Sequence, residues 1–289
     1  MKLCRFNGDR IGLVRGGGVH DVTEVLGKLE KLTYPYPLGD QLITHLEDLR
    51  SDLEKAADKT TAVAASEVKF NAPVANPSKI MGVPSNYLKH VQEADDDEEI
   101  SQYSKLKFEG RKKKLGEQGI FLKANSALIG VSEGIDLRFS NRRTDHELEL
   151  GVIIGKKASR VAEVNALEYI SGYTIALDIV VRGPEDRSFR KSCDSFAVLG
   201  PWLVTTDEIE DPNNLEISLS IDGCVRQSAN TNEMIFNIQK QISWASQFYT
   251  LLPGDVLMTG TCEGVGPIKS GEVLHVNVEN IGSADIQIN

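Results

Sequence analysis

Apolar and polar positions change rhythm several times along the chain, and each change marks an element. Short alternating runs at Lys2–Phe6 and Arg10–Val14 flank Asn7-Gly8, a pair suited to the positive backbone angles of a tight hairpin turn. Gly16 to Gly18 turn the chain again before Val19–Val22. From Asp40 to Ala57 the period lengthens: Leu42, Ile43, Leu46, Leu49 and Leu53 recur at helical spacing, which predicts one amphipathic helix. His45 lies on that helix and reads as a satisfied or solvated side chain. The Pro/Asn cluster from Asn71 to Pro77 reads as a linker. The domain boundary is therefore placed here, between a small α+β N-terminal domain (1–73) and a larger domain (77–289).

Beyond the linker the pattern is mainly that of strands. Runs at 79–83, 120–123, 145–155, 172–182, 199–205, 215–221, 256–259, 273–278 and 284–288 are interrupted by a short helix near Ala166–Ile170. Thr231 is read as the cap of a second helix, with Met234, Ile235, Ile238, Ile242 and Ala245 as its buried face. The expected fold class is mixed and mainly β, with the small α+β domain in front.

The chemistry concentrates in Asp145 to Gly155, D-H-E-L-E-L-G-V-I-I-G. Strand alternation sends Glu147 and Glu149 to one face and Leu148 and Leu150 to the other. Val152, Ile153 and Ile154 continue the run as a buried strand, so the acidic face lies inside the fold. Two like charges about 4 Å apart repel by roughly 4 kcal/mol at an effective dielectric near 20, so a buried acidic pair asks for a cation. A solvated amphipathic strand is the commoner meaning of E-L-E-L. The next apolar run tips the balance, because Asp178 and Arg182 interrupt it and a buried Asp needs a partner. An all-oxygen donor set suits a hard divalent ion such as Mg²⁺, Mn²⁺ or Ca²⁺.

Further segments carry candidate chemistry. His90 and Glu93 are three residues apart, so on a helix or turn the carboxylate orients the imidazole. Opposite charge blocks follow at Asp95–Glu99 and Arg111–Lys114, and residues 94–119 are read as a solvated, mobile flap. Arg182 to Phe196 is rich in cations and suits an anionic substrate. Gly260 to Gly266 is a glycine-rich loop able to offer backbone N–H groups to an oxyanion, but it matches no nucleotide-binding motif.

The 289 residues carry a net charge of -10 and a pI near 5.1, which argues against nucleic acid and anionic membranes as partners. No apolar run reaches membrane length, and Met1–Arg10 lacks the core of a secretory signal, so a cytoplasmic location is expected. Cys4, Cys193, Cys224 and Cys262 are widely spaced, which points to free thiols, with no disulfide framework or zinc knuckle.

Several separated motifs together resemble the fumarylacetoacetate hydrolase family. They are S-N-Y-L-K-H-V-Q-E (85–93), F-L-K (121–123), D-H-E-L-E-L-G-V-I-I-G-K (145–156), G-Y-T-I-A-L-D-I-V-V-R (172–182), R-K-S-C-D-S-F-A-V-L-G-P-W (190–202) and P-G-D-V-L-M-T-G-T-C-E-G-V-G (253–266). The resemblance implies a β-roll domain, a divalent metal usually taken as Mg²⁺, a homodimer, and action on small 2-oxo acids. It carries the metal ligands onto Glu147, Glu149 and Asp178, and the catalytic dyad of a lid spanning roughly 84–120 onto His90 and Glu93. Lys191 becomes a catalytic cation, and Arg182 and Thr261 become substrate-binding residues. The implied reaction is hydrolysis of a carbon–carbon bond in acylpyruvate-type 1,3-diketo acids such as fumarylpyruvate. The alternative is a 2-oxo acid decarboxylase, isomerase or hydratase, of the oxaloacetate decarboxylase or 2-hydroxyhepta-2,4-diene-1,7-dioate isomerase type. A binding protein that has lost chemistry is disfavoured by the presence of His90, Glu93, Arg182 and Lys191 together. The chain departs from the family pattern at Leu177, Gly183 and Cys262, where Asn, Asp and Pro are usual.

Overall fold

The acidic run forms the strand Leu148–Ile154, buried along its whole length, near the middle of a twelve-stranded mixed sheet. The computed structural model describes residues 1–102 and 119–289. On one side the strand pairs antiparallel with Ile170–Asp178, which in turn pairs with Ala197–Thr205. On the other it meets Val256–Met258, then Ile80–Gly82 in parallel, with Phe121–Lys123 beyond. Strands covered on both faces lose the simple alternation of an exposed sheet, as the runs here do.

The N-terminal hairpin forms as expected, with Asn7 and Gly8 at φ of 47° and 91°. It joins the same sheet: Lys2 and Leu3 pair with Val204 and Leu203, and the terminal ammonium donates to Thr205 Oγ1 at 2.7 Å. A boundary at residues 73–77 thus falls inside a continuous sheet. Leu3, Leu13, Leu46 and Leu53 form one hydrophobic cluster with Ile153, Ala176 and Leu203. Ile153 shares its face with Glu147 and Glu149. The N-terminal segment therefore covers one end of that face, and the carboxylates occupy the other.

Two smaller sheets complete the molecule. Val180–Val181, Thr144–His146 and Gly266–Pro267 make a three-stranded sheet. Cys224–Asn230, Glu216–Ile221, Val273–Val278 and Gly282–Gln287 make a four-stranded one. The chain changes sheet at Glu147 and again at Ile179, so the acidic residues lie at a corner between sheets.

Two helix expectations need correction. The helix expected over Asp40–Ala57 is two pieces, Gln41–Thr44 and Leu46–Ala57, broken at His45. Asp40 caps the first piece while also accepting from Ala75 N at 2.8 Å, which ties that turn to the linker. Thr231 caps no long helix. Its hydroxyl is taken by Leu215 N and Pro212 O, Asn230 caps a short turn at Thr231–Glu233, and Asn237 caps the helix Ile238–Phe248. Met234 and Ile235 precede that helix. All four cysteines are free, and no helix among the described residues is long and apolar enough to cross a membrane.

Candidate active site

Strand register brings the acids together. Leu148 pairs with Leu177, so Glu147 lies beside Asp178, whose N–H donates to Glu147 O at 2.9 Å. Glu149 is one pleat further along the same face. One oxygen from each of Glu147, Glu149 and Asp178 lies within 4.8 Å of the others, and all three residues are buried.

The cluster is not held apart from cations, and here the charge argument needs correction. Lys191 Nζ donates to Glu147 Oε2 and Asp178 Oδ2, each at 2.6 Å. Lys123 Nζ, also buried, donates to Asp178 Oδ1. Arg182 bridges Asp145 (2.8 Å) and Glu147 (3.2 Å), and Arg143 takes the other oxygen of Asp145 at 2.7 Å. Two lysines therefore share the work that the acid pattern assigned to a metal alone. Burial would raise the Glu147 carboxyl, but the Lys191 and Arg182 cations outweigh it and hold Glu147 at about 2. Burial and the Asp178 anion push Glu149 well above the usual carboxylate range. The only donor to Glu149 among the described residues is Gly260 N–H, at 2.6 Å. Lys191 is pulled down by burial and up, more strongly, by Asp178 and Glu147.

This donor set fits a hard divalent ion. All three acids offer oxygen, their contacts with lysine, arginine and backbone N–H leave further lone pairs free, and Glu149 is the member of the cluster that neither lysine contacts.

The dyad sits on the helix Leu88–Asp96. His90 Nδ1 and Glu93 Oε2 are 3.4 Å apart, a long contact, and Glu93 Oε1 accepts from Gly264 N at 2.9 Å. Burial raises Glu93, but His90 and the Gly264 amide outweigh it and lower the carboxyl. The helix is thereby tied to the glycine loop. Asn86, fully buried, fixes its base by binding Phe236 N, Phe236 O and Thr259 O.

The acidic block is less free than a solvated flap. Asp97 caps the turn Glu98–Ser101, and Arg143 grips Asp97 (2.8 Å) and Glu99 (3.1 Å) while holding Asp145. The basic block Arg111–Lys114 lies outside the described residues. Substituting Arg143→Gln should release this clasp and raise KM about three- to tenfold with a smaller change in kcat, consistent with about 1 kcal/mol for a partly exposed pair. Steady-state kinetics at low salt would check it, and an unchanged KM would mean that the clasp plays no part in closing the site.

Between helix and sheet lies a cavity of about 530 Å³ lined by His90, Glu147, Glu149, Asp178, Arg182, Arg190, Lys191 and Thr261. The structure thus brings all the sequence-predicted site residues to one place, with Glu93 behind His90. Gly260, at φ 96°, leaves no room for a Cβ against Asn86. At Gly183 a Cβ would lie 1.8 Å from the Arg142 guanidinium, which binds Glu185 through two nitrogens and donates to Arg182 O.

Sequence reasoning missed Lys123, Arg143 and the role of Asp145. The signal for Lys123 was a lysine inside an apolar stretch, since a buried ammonium needs an anion. It also missed Gln227, which lies in an exposed-looking polar strand. Its amide accepts from Leu148 N (2.9 Å) and donates to Thr261 Oγ1 (2.8 Å).

Comparison with known proteins identifies the family. The family described as Fumarylacetoacetate (FAA) hydrolase C-terminal matches residues 79–289. A maleylpyruvate hydrolase of Aquipseudomonas alcaligenes is 47% identical over 288 residues, covering 100% of this chain and 99% of that protein. A mitochondrial oxaloacetate tautomerase of Rattus norvegicus is 34% identical, covering 98% and 90%. The crystal structure of maleylpyruvate hydrolase from Sphingobium sp. SYK-6 in complex with manganese(II) and pyruvate matches with a TM-score of 0.82 at 34% identity, covering 100% of this chain and 98% of that one.

Proposed function

The chain belongs to the fumarylacetoacetate hydrolase family, and on that premise we propose that it is a divalent-metal-dependent hydrolase of acylpyruvates. The observation that carries the reading is the His90–Glu93 pair facing a three-carboxylate cluster across one cavity. Hydrolysis needs an activated water, and a base poised over an acidic metal-type site provides for one.

Glu147, Glu149 and Asp178 would hold the ion, with Mg²⁺ as the expected metal and Mn²⁺ as a substitute. When bound, a divalent ion supplies Lewis-acid stabilisation of the charge that builds on a 2-oxo acid as its carbon–carbon bond breaks. His90 takes a proton from water, and Glu93 holds the imidazole in place. The hydroxide attacks the distal carbonyl carbon and the bond to the pyruvate unit breaks. Its electron pair passes into the pyruvate enolate, which is reprotonated at carbon, and a carboxylic acid is released. Lys191 and Arg182 place positive charge beside the developing anion.

The pocket rim favours a substrate with a second carboxylate. Arg190 Nε donates to Glu185 O at 2.8 Å, and Arg142 engages the Glu185 carboxylate. Among the described residues no carboxylate forms an ion pair with Arg190, and burial followed by the Arg182 and Arg187 cations lowers its pKa. A maleyl- or fumarylpyruvate-type acid would place its distal carboxylate here. Arg190→Gln should cut kcat/KM for such dicarboxylic acylpyruvates about 10- to 100-fold, in line with about 1.5–3 kcal/mol for a charge-assisted bond. Acetylpyruvate, which lacks that group, should be little affected.

The experiment that tests the whole reading is a panel of acylpyruvates and oxaloacetate with the metal-loaded enzyme. Rapid loss or tautomerisation of oxaloacetate without acylpyruvate cleavage would overturn it in favour of the 2-oxo acid decarboxylase or isomerase alternative. A cytoplasmic homodimer is part of the same proposal, and light scattering of the purified protein would check the assembly.

A further inference from the structure

Gln227 is fully buried in the strand Cys224–Asn230, although its neighbours Arg226 and Ser228 are exposed. Leu219 pairs with Gln227 and Ser220 with Val225, so Arg226 is the extra residue of a bulge. Bulges redirect side chains. Here the bulge lies against the glycine loop so tightly that a Cβ at Gly264 would fall 1.8 Å from Arg226 O.

Two backbone groups fix which way round the Gln227 amide lies. Leu148 N–H, 2.9 Å away, must meet the oxygen, and Cys262 C=O, 3.1 Å away, must meet the nitrogen. Consequences follow on both sides. His146 Nδ1 lies 3.0 Å from the same oxygen, so it carries the ring proton and Nε2 is bare. Nε2 is indeed buried without a partner among the described residues. On the other side the Gln227 NH₂ donates to Thr261 Oγ1 at 2.8 Å, so the hydroxyl proton of Thr261 goes to Leu148 O, also 2.8 Å away. The Thr261 hydroxyl therefore has only a lone pair left for the cavity.

We infer that Gln227 is a positioning residue of this site: it locks the Glu147–Glu149 strand to the glycine loop and makes the Thr261 hydroxyl an acceptor, not a donor, towards the substrate. A substrate carboxylate then finds no donor in the Thr261 hydroxyl. That hydroxyl suits a group with a proton to give, the enol form of an acylpyruvate or the attacking water. The inference rests on the hydrolase reading for what occupies the cavity, but the amide geometry is independent of it.

The test uses the metal-loaded full chain. Ring ¹⁵N spectra of the wild type, with the His146 signals assigned through His146→Gln, should show the Nδ1–H tautomer. Gln227→Leu should shift His146 away from that tautomer and lower kcat for acylpyruvate cleavage about 10- to 100-fold, the range for supporting hydrogen bonds around a site, with a smaller effect on KM. Gln227→Glu keeps the shape but sets an oxygen against Cys262 O, so it should lose kcat to a similar degree. An Nε2–H tautomer in the wild type would overturn the inference, and so would Gln227→Glu with wild-type kcat. Gln227→Leu with lowered thermal stability but unchanged kcat would reduce the residue to a structural role and overturn it too. If the wild type cleaves no acylpyruvate, the hydrolase reading fails, while the wild-type tautomer still decides the amide geometry.

Discussion

Removing the divalent ion with a chelator is expected to abolish turnover, and restoring Mg²⁺ or Mn²⁺ should recover it and raise the melting temperature. The ion binds the assembled site and not the unfolded chain, so at about 100 times its Kd it adds about 2.7 kcal/mol of stability. Glu149 is the ligand on which this can be dissected. Lys191 compensates Glu147 and Asp178, and Lys123 also engages Asp178, whereas Glu149 accepts from Gly260 N–H. Burial and then the Asp178 anion raise its folded pKa. A raised carboxyl stabilises the fold below its ordinary pKa, and that contribution is lost as pH rises through the folded value. At neutral pH the metal-free protein therefore carries Glu149 as a liability.

Glu149→Gln keeps the shape and removes the charge. Its metal-free form should be at least as stable as the wild type at pH 7, while the stabilisation gained from metal shrinks and activity falls. Differential scanning calorimetry with and without Mn²⁺ reads both effects at once. Undiminished metal stabilisation together with full activity would show that the acidic strand holds no ion.

The second large effect is expected from the dyad. His90→Asn should lower kcat about 10²- to 10⁴-fold, the usual contribution of a positioned general base, with little change in melting temperature, since His90 lies at the cavity wall and not in the core. Glu93→Gln keeps the shape and loses only the orienting anion, so part of that contribution should go, about 10- to 100-fold. A separate stability signature accompanies it. Burial opposes ionisation of Glu93, but His90 and Gly264 N–H lower its pKa. A depressed carboxylate stabilises the fold above its ordinary value, and the contribution is lost as pH falls through the folded value. Glu93→Gln should therefore flatten the acid limb of stability at and below the usual carboxylate range. Wild-type acylpyruvate turnover in His90→Asn would remove the general-base role altogether.

Much of this site is written in local pattern. Strand alternation alone placed Glu147 and Glu149 on one face, and an acid inside an apolar run marked Asp178. The spacing of three residues paired His90 with Glu93. These are properties of neighbours along the chain, set by the repeat of a strand or a helical turn. The hairpin at Asn7-Gly8 was legible for the same reason, because only a few residue pairs take its backbone angles readily.

What tertiary structure decided is which distant groups share the buried charge. Lys123 reaches Asp178 across 55 residues and Gln227 reaches Leu148 across 79, through strand register and a bulge that no periodicity announces. The use of Thr231 as a bridge in place of a helix cap and the grip of Arg143 on the acidic block have the same origin. In each, a polar side chain with several possible partners took the one that folding brought within reach. Composition and spacing establish that buried charges must be paired. Only the packed chain determines with what, because the cost of burial is local while the partner that relieves it can come from anywhere in the sequence.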